Sequence, residues 1–179
     1  MFVASKKFNS LYAQLIQIVY EAVVDDHFVV FDVDSTLLIR SEDNTVVPVE
    51  VGMDVHSLVT VRNIPIYYVT ARVDTPFNRH VTISDLQSVG IYDADAKLFM
   101  RPDSVSDSWA ELSQFKANMR QTLEAQHERQ CLLNVGDQWS DLLRLNTNLF
   151  TIFTSTYYNH YVLMNPNTPF HSMWALKIP

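Results

Sequence analysis

The sequence is poor in glycine, with only Gly52, Gly90 and Gly136 among 179 residues. The nearest two glycines are 38 positions apart, so the chain contains neither the G-x-G-x-x-G loop of dinucleotide-binding proteins nor the G-x-x-x-x-G-K loop of P-loop proteins. The same spacing excludes the G-x-S-x-G turn that carries the serine of α/β-hydrolases. If this protein binds phosphate, it must do so without a glycine-rich loop.

Cysteine and clustered basic residues are also scarce. Cys131 is the only cysteine, which excludes an internal disulfide and a zinc site built from several cysteines. The six histidines show no paired metal-binding spacing. The formal net charge is −7 and no run of five basic residues occurs, so we expect no non-specific nucleic-acid binding.

Long apolar runs are absent, since none approaches the ~18 residues that a membrane-spanning helix needs. Polar residues interrupt the stretch 8–24, and no small-residue cleavage site of a signal peptide follows it. We therefore expect no membrane partner and a reducing, cytoplasmic location. The apolar content of 47% suffices for one core. We predict a single domain, 1–179, made of an N-terminal helix (1–26), a core (27–153) and an irregular aromatic tail packed on that core (154–179).

Short apolar runs alternate with helical patterns along the chain, which favours an α/β fold with a central parallel sheet and helices on both faces. Gly90 directly follows the helical pattern at 75–89, where a glycine suits the C-terminal cap of a helix. The predicted strands cover 28–31, 64–69, 97–100, 131–135 and 149–153, and the predicted helices cover 9–24, 49–61, 75–89 and 108–126.

Polar motifs follow three of these strands, at the edge of a parallel sheet where ligands bind. They are D-V-D-S-T at 32–36, T-A-R at 70–72 and G-D-Q-W-S-D at 136–141. A single Asp or Thr in such a place is adequately explained by helix capping. Clustered acidic groups, however, would repel one another by about 4 kcal/mol per close pair at an effective dielectric near 20. A bound Mg²⁺ would offset that repulsion, because carboxylate oxygens are its preferred ligands.

These motifs, with Lys116 in the helix before the last of them, resemble the four motifs of the haloacid dehalogenase (HAD) superfamily of phosphatases. The similarity is closer to its class B and C acid phosphatase branch, in the stretch 97–102 and in Asn165-Pro166, and it runs from about residue 27 to 170. It implies a Rossmann-like HAD fold with 27–153 as the catalytic core. Secreted members of that branch carry signal peptides, and this sequence shows no such segment.

The resemblance also implies a role for each motif residue. Asp32 would be the nucleophile that forms an aspartyl-phosphate, and Asp34 would act as general acid and then general base. Lys116 would neutralise the phosphoryl group, although Lys97 is a rival that the sequence does not exclude. Thr70 would take part in catalysis by donating a hydrogen bond to the phosphoryl group that is transferred. The substrate would be bound by Thr70, Ala71, Arg72 and Lys116. Mg²⁺ would be held by Asp32, the backbone carbonyl of Asp34 and Asp137, with Asp141 nearby, bound directly or through water.

The chain between Asp34 and Thr70 is long enough only for a short flap (37–47) and one helix, so we predict a minimal or absent cap. An open site of this kind suits a bulky phosphorylated substrate, such as a phosphoprotein or a nucleic-acid end, as well as small molecules. A cap borrowed from a second subunit would instead require a homodimer.

Several other functions share these residue types. A phosphotransferase would keep every residue named, and a catalytically weak binding or storage protein of the same fold would be expected to lack Asp32. A dehalogenase needs neither Asp34 nor Mg²⁺. In signalling receivers the lysine follows the last acidic motif, whereas Lys116 precedes it. Hydrolysis of a phosphate monoester is therefore the favoured function, with the phosphotransferase as the main alternative.

Overall fold

The computed structural model of the protein describes residues 6–141, 150–155 and 160–164, with side chains over 13–138 and 140–141. The helices are α1 (Lys6–Glu21), α2 (Glu50–Val61), α3 (Pro76–Ser88) and α4 (Trp109–His127). The strands are β1 (His27–Phe31), β2 (Leu38–Arg40), β3 (Val46–Pro48), β4 (Ile66–Val73), β5 (Leu98–Arg101), β6 (Gln130–Gly136), β7 (Phe150–Ser155) and β8 (His160–Met164).

Six strands form one sheet in the order β5-β4-β1-β6-β7-β8. The first five run parallel to their neighbours, and β8 is antiparallel to β7 at the edge. In the register of the sheet, Val30 of β1 lies between Tyr67 of β4 and Asn134 of β6. The carboxyl ends of β1, β4 and β6 therefore lie side by side, as the motif spacing predicts.

Apolar residues of β1 alternate between two cores, one on each face of the sheet. Val29 and Phe31 pack in the core that α1, α2 and α3 cover. Phe28 and Val30 pack in the core that α4 covers. Burial on both faces explains why β1 is a continuous apolar run. The predicted α/β fold with helices on both faces of a parallel sheet is confirmed.

The connection from β1 to β4 contains the β2–β3 hairpin and α2. Across residues 6–141, which the structure describes without a gap, no larger insertion is found in this connection or between β4 and α4. The hairpin corresponds to the predicted flap, and the prediction of a minimal cap agrees with this chain path.

Part of the C-terminal segment differs from the sequence prediction. We expected an irregular tail after residue 153, but His160–Met164 forms β8 and pairs with β7. The pairing satisfies backbone groups of β7 that would otherwise form an open sheet edge. Asn165-Pro166 and the packing of the rest of the tail lie outside the described residues, and the domain division stays a prediction.

Two glycines are explained by backbone geometry. Gly90 follows α3 with a φ of +94°, which agrees with its predicted role at the end of that helix. Gly52 lies in the first turn of α2, where a Cβ would overlap the backbone carbonyl oxygen of Thr36. The turn after β1 and the start of α2 are thus in direct backbone contact. Separately, none of the described helices has the combined length and apolar character needed to cross a membrane.

Candidate active site

Three aspartates from separate segments converge at the carboxyl edge of the sheet. Asp32 follows β1, Asp137 follows β6, and Asp141 ends a short helical turn, Trp139–Asp141. One carboxylate oxygen from each lies within 4.8 Å of the others. Asp32 and Asp141 are buried and Asp137 is half-buried. Such a group of convergent hard oxygen atoms has the donor chemistry of a Mg²⁺ site.

Lys116 of α4 reaches into this group. Its Nζ donates a hydrogen bond to Oδ1 of Asp32 at 2.8 Å and to Oδ1 of Asp141 at 2.5 Å. The side chain is only 3% exposed, so its charge is enclosed with its partners. The rival Lys97 instead pairs with the exposed Asp93, at 2.5 Å. The structure therefore brings Lys116, and not Lys97, to the acidic residues.

The charges of the three aspartates and Lys116 do not cancel. Three carboxylates and one ammonium leave two negative charges in excess. Burial raises the pKa of Asp32 well above its usual value, with Lys116 opposing and Asp141 adding to that rise. Burial likewise raises the pKa of Asp137 to about 6. A divalent cation would remove the excess charge, so these residues fit the Mg²⁺ that the resemblance implies.

Asp141 is held by its neighbours in a fixed position. Its backbone oxygen accepts a hydrogen bond from Nδ2 of Asn134 at 2.7 Å, and its Oδ2 accepts one from the backbone N–H of Gln138 at 3.0 Å. A Cβ on Gly136 would overlap the Asp141 carboxyl group. The absence of a side chain at Gly136 thus makes room for this carboxylate.

Asp34 lies outside the aspartate group but lines the same cavity. Its side chain is 51% exposed, and both of its oxygens accept hydrogen bonds from Arg72, at 2.9 Å from Nε and 2.6 Å from Nη2. Ser35 follows with a φ of 59°, a left-handed conformation that non-glycine residues seldom adopt. The sharp turn at Ser35 leads the chain away towards the hairpin directly after Asp34.

The T-A-R motif lies in the second half of β4. Thr70 is fully buried, and its Oγ1 accepts a hydrogen bond from the backbone N–H of Arg72 at 3.2 Å. Ala71 lines the cavity with Asp34. The guanidinium of Arg72 is directed to Asp34 and to two residues of α3, Thr82 and Asp85.

The cavity has a volume of about 310 Å³ and includes residues that the sequence analysis did not assign to the site. Trp109 and Leu112 lie seven and four positions before Lys116 on α4, a spacing that places them on one helix face. That periodicity could have identified both residues. Trp109 is 60% exposed, although it is large and apolar. The other lining residues that had not been assigned are Ser35, Asp107, Gln138 and Ser140.

Comparison with protein families supports the same interpretation. The family model described as HAD superfamily, subfamily IIIB (Acid phosphatase), matches residues 41–168, which is more than half of the chain. Thr70, Lys116, Asp137 and Asp141 lie within the match, whereas Asp32 and Asp34 precede it. Asp32 is linked to the matched part by its contact with Lys116. The comparison with curated proteins found no match. On the family match, the chain belongs to the HAD superfamily, in its subfamily IIIB of acid phosphatases.

Proposed function

We propose that this protein is a Mg²⁺-dependent phosphatase that hydrolyses phosphate monoesters through an aspartyl-phosphate on Asp32. The observation that carries the proposal is the buried contact between Lys116 and Asp32, made within a group of aspartates at the sheet edge. The family is one of acid phosphatases, which supports the same reaction.

Asp32 is the nucleophile in this proposal. Its carboxylate oxygen forms a bond to phosphorus while the bond from phosphorus to the ester oxygen breaks. Lys116 lies against Asp32, so its ammonium favours the ionised carboxylate and neutralises charge on the phosphoryl group. Dividing the hydrolysis into two steps helps because the uncatalysed reaction is extremely slow.

Asp34 transfers the protons. It donates one to the leaving ester oxygen and then takes one from the water that attacks the aspartyl-phosphate. That attack releases phosphate and regenerates the Asp32 carboxylate. The position of Asp34 on the cavity wall, half-exposed and next to Ser35, allows it to meet both the leaving group and water.

Mg²⁺ would be held by the carboxylates of Asp32, Asp137 and Asp141 and by the backbone carbonyl of Asp34. When bound, it supplies positive charge that reduces repulsion between the carboxylates and the phosphate. Thr70 and Ala71 would bind the phosphoryl group together with Lys116. Arg72 would contribute next to Asp34, although the contacts of its guanidinium with protein groups favour a supporting role.

The substrate class follows from the openness of the site. No cap covers the cavity along residues 6–141, and Trp109 and Leu112 form an apolar part of its wall. A phosphate group carried on a bulky or aromatic small molecule, a phosphoprotein or a nucleic-acid end would be accepted at its terminal phosphate. A cytoplasmic location and a homodimer remain expectations beside this proposal.

The test is the hydrolysis of p-nitrophenyl phosphate by wild type and by D32N, with D54N as the matched control. Asp54 lies exposed on α2, away from the cavity. We expect activity that chelator removes and Mg²⁺ restores, no detectable activity in D32N, and unchanged activity in D54N. Normal turnover by D32N, or full activity in excess chelator, would overturn the mechanism. Transfer of phosphate to an added alcohol at the expense of hydrolysis would identify a phosphotransferase.

A further inference from the structure

Asp85 is a buried carboxylate on α3 that contacts two arginines from different elements. Its oxygens accept hydrogen bonds from Nη2 of Arg40 at 2.6 and 2.8 Å and from Nη1 of Arg72 at 2.7 Å. The side chain is only 7% exposed. Neither the family motifs nor the aspartate group includes Asp85.

Arg72 connects Asp85 to Asp34. Its Nε and Nη2 donate to the two oxygens of Asp34, while its Nη1 donates to Asp85 and, at 3.0 Å, to Oγ1 of Thr82. Thr82 in turn donates to the backbone oxygen of Asn78, so its hydroxyl is fixed within α3. Because the guanidinium is planar and rigid, holding Nη1 on one side fixes the direction of the donors that face Asp34.

Arg40 connects Asp85 to the β2–β3 hairpin. It is the last residue of β2, and its Nη1 also donates to the backbone oxygen of Asn44 in the hairpin turn at 3.3 Å. Arg40 and Asp34 line a second cavity of about 390 Å³ next to the active site, together with Arg72. Asp85 therefore joins the hairpin, β4 and α3 at the side of the site where Asp34 lies.

The residues along this chain of contacts alternate between a carboxyl group and a guanidinium group: Asp34, Arg72, Asp85 and Arg40. When one oxygen of Asp34 carries the proton that it donates, Arg72 can still donate a hydrogen bond to the other oxygen. Without the Asp85 charge, the guanidinium groups of Arg72 and of the half-exposed Arg40 would lose the anion that they share. Arg72 would then be expected to shift, and Asp34, which is half-exposed, would lose the partner that orients it. The pair formed by Asp74 and the half-buried Arg79 lies in the same region, and among the residues that the structure describes it shares no hydrogen bond with Asp34, Arg72 or Asp85.

We propose that Asp85 is a positioning residue that orients the general acid Asp34 through Arg72 and fastens the hairpin through Arg40. The inference rests on the proposed function, since it assigns a support to the residue that protonates the leaving group. It predicts that loss of Asp85 harms proton donation more than it harms phosphoryl binding.

The test compares D85N with D74N on two substrates, phenyl phosphate and 2,4-dinitrophenyl phosphate. The phenolate leaving group needs a proton, whereas the dinitrophenolate does not. General acid–base catalysis is worth roughly 10²–10⁴-fold, so partial misalignment should reduce kcat/KM of D85N for phenyl phosphate by about tenfold or more. For the dinitrophenyl ester we expect a change below about threefold, and D74N should match wild type on both. Equal losses of D85N on both substrates would overturn the inference.

A double-mutant cycle separates positioning from a general loss of structure. If Asp85 acts through Asp34, D85N should have little further effect on phenyl phosphate hydrolysis in a D34N background. A further loss as large as in wild type would overturn the inference. If D85N does not fold, R40Q removes one partner of Asp85 at a half-exposed position and should show the same substrate dependence to a smaller degree. Equal losses of R40Q on the two esters would then count against the inference.

A wild-type protein without activity on either ester would reject the proposed function. The contact of Asp85 with Arg72 would then be tested by NMR of the Arg72 side chain. We expect the Nε–Hε signal of Arg72 to be protected from exchange in wild type and exposed to exchange in D85N or R40Q. Unchanged protection in the variant would overturn the inference independently of the assay.

Discussion

Lys116 donates a hydrogen bond to Asp32 across 84 residues of sequence, in a space from which solvent is largely excluded. α4 supplies the ammonium from one face of the sheet and β1 supplies the carboxylate from its carboxyl end. Burial disfavours the charge of Lys116, yet Asp32 and Asp141 outweigh it and raise the pKa of the ammonium above its usual value. The two carboxylates therefore favour the charged form of Lys116 at the site.

Removing that charge should abolish most catalysis. In K116M the carboxylates lose the ammonium that donates to Asp32 and Asp141, and in the proposed mechanism the phosphoryl group loses a charged hydrogen-bond donor. We expect kcat/KM for p-nitrophenyl phosphate to fall by about 10²- to 10³-fold, the usual cost of losing such a donor. K97M is the matched control, because Lys97 pairs with the exposed Asp93 and not with the acidic residues of the site. Activity of K116M equal to that of wild type, with loss in K97M, would assign the role to Lys97.

On the proposed function, Mg²⁺ should stabilise the folded protein, because the aspartates that would hold it converge only in the folded state. At a Mg²⁺ concentration 100 times the dissociation constant, linkage predicts about 2.7 kcal/mol of added stability. D137N removes one of the proposed ligands and also one of the repelling carboxylates. We therefore expect D137N to melt at a higher temperature than wild type without Mg²⁺ and to gain less from added Mg²⁺. The measurement is thermal unfolding with and without the ion, and D54N should respond as wild type does. An equal gain in D137N and wild type would contradict the ligand assignment.

The sheet and its motifs were predictable because their signals are local. A buried parallel strand is a continuous apolar run, and the residue that follows it, such as Asp32 or Asp137, must lie at the ligand-binding edge. The role of Lys116 beside the acidic residues was predicted from the order of the family's motifs and not from a physical argument. The catalytic assignments of these residues remain predictions that the variants above test.

Other features depend on contacts between distant segments and leave no local pattern. Asp85 resembles any acidic helix residue until folding places Arg40 and Arg72 on either side of it. Position 52 requires glycine because a Cβ there would overlap the carbonyl oxygen of Thr36 in a neighbouring turn. The strand β8 is short and close to prolines, and its pairing with β7 outweighs the irregular character that its sequence suggests.

Acid should destabilise the protein through His56. Its ring lies against Tyr68, with Nε2 at 2.8 Å from the tyrosine Oη, and burial lowers the pKa of the imidazole below its usual 6.5. The unfolded chain therefore binds a proton at a pH where the folded protein does not, and stability is lost as the pH falls below about 6.5. H56Q should lose less stability than wild type between pH 7.5 and 5.5 in urea unfolding, because the uptake of that proton is removed. H80Q, at an exposed position on α3, is the control and should follow wild type. Identical pH dependence in H56Q and wild type would contradict the assignment to this ring.

Trp109 should favour substrates with an aromatic leaving group. Its side chain is 60% exposed although it is large and apolar, and it borders the cavity beside Leu112. Contact between aromatic rings is worth about 0.5–1.5 kcal/mol, so W109A should raise KM for phenyl phosphate by roughly two- to twelvefold. Hydrolysis of glycerol phosphate, which has no ring, should change little. F77A is the matched control, because Phe77 is also a large, exposed aromatic residue but lies on α3 outside the cavity. An equal rise in KM for both substrates would show that Trp109 supports the site as a whole, and no rise for phenyl phosphate would exclude it from substrate contact.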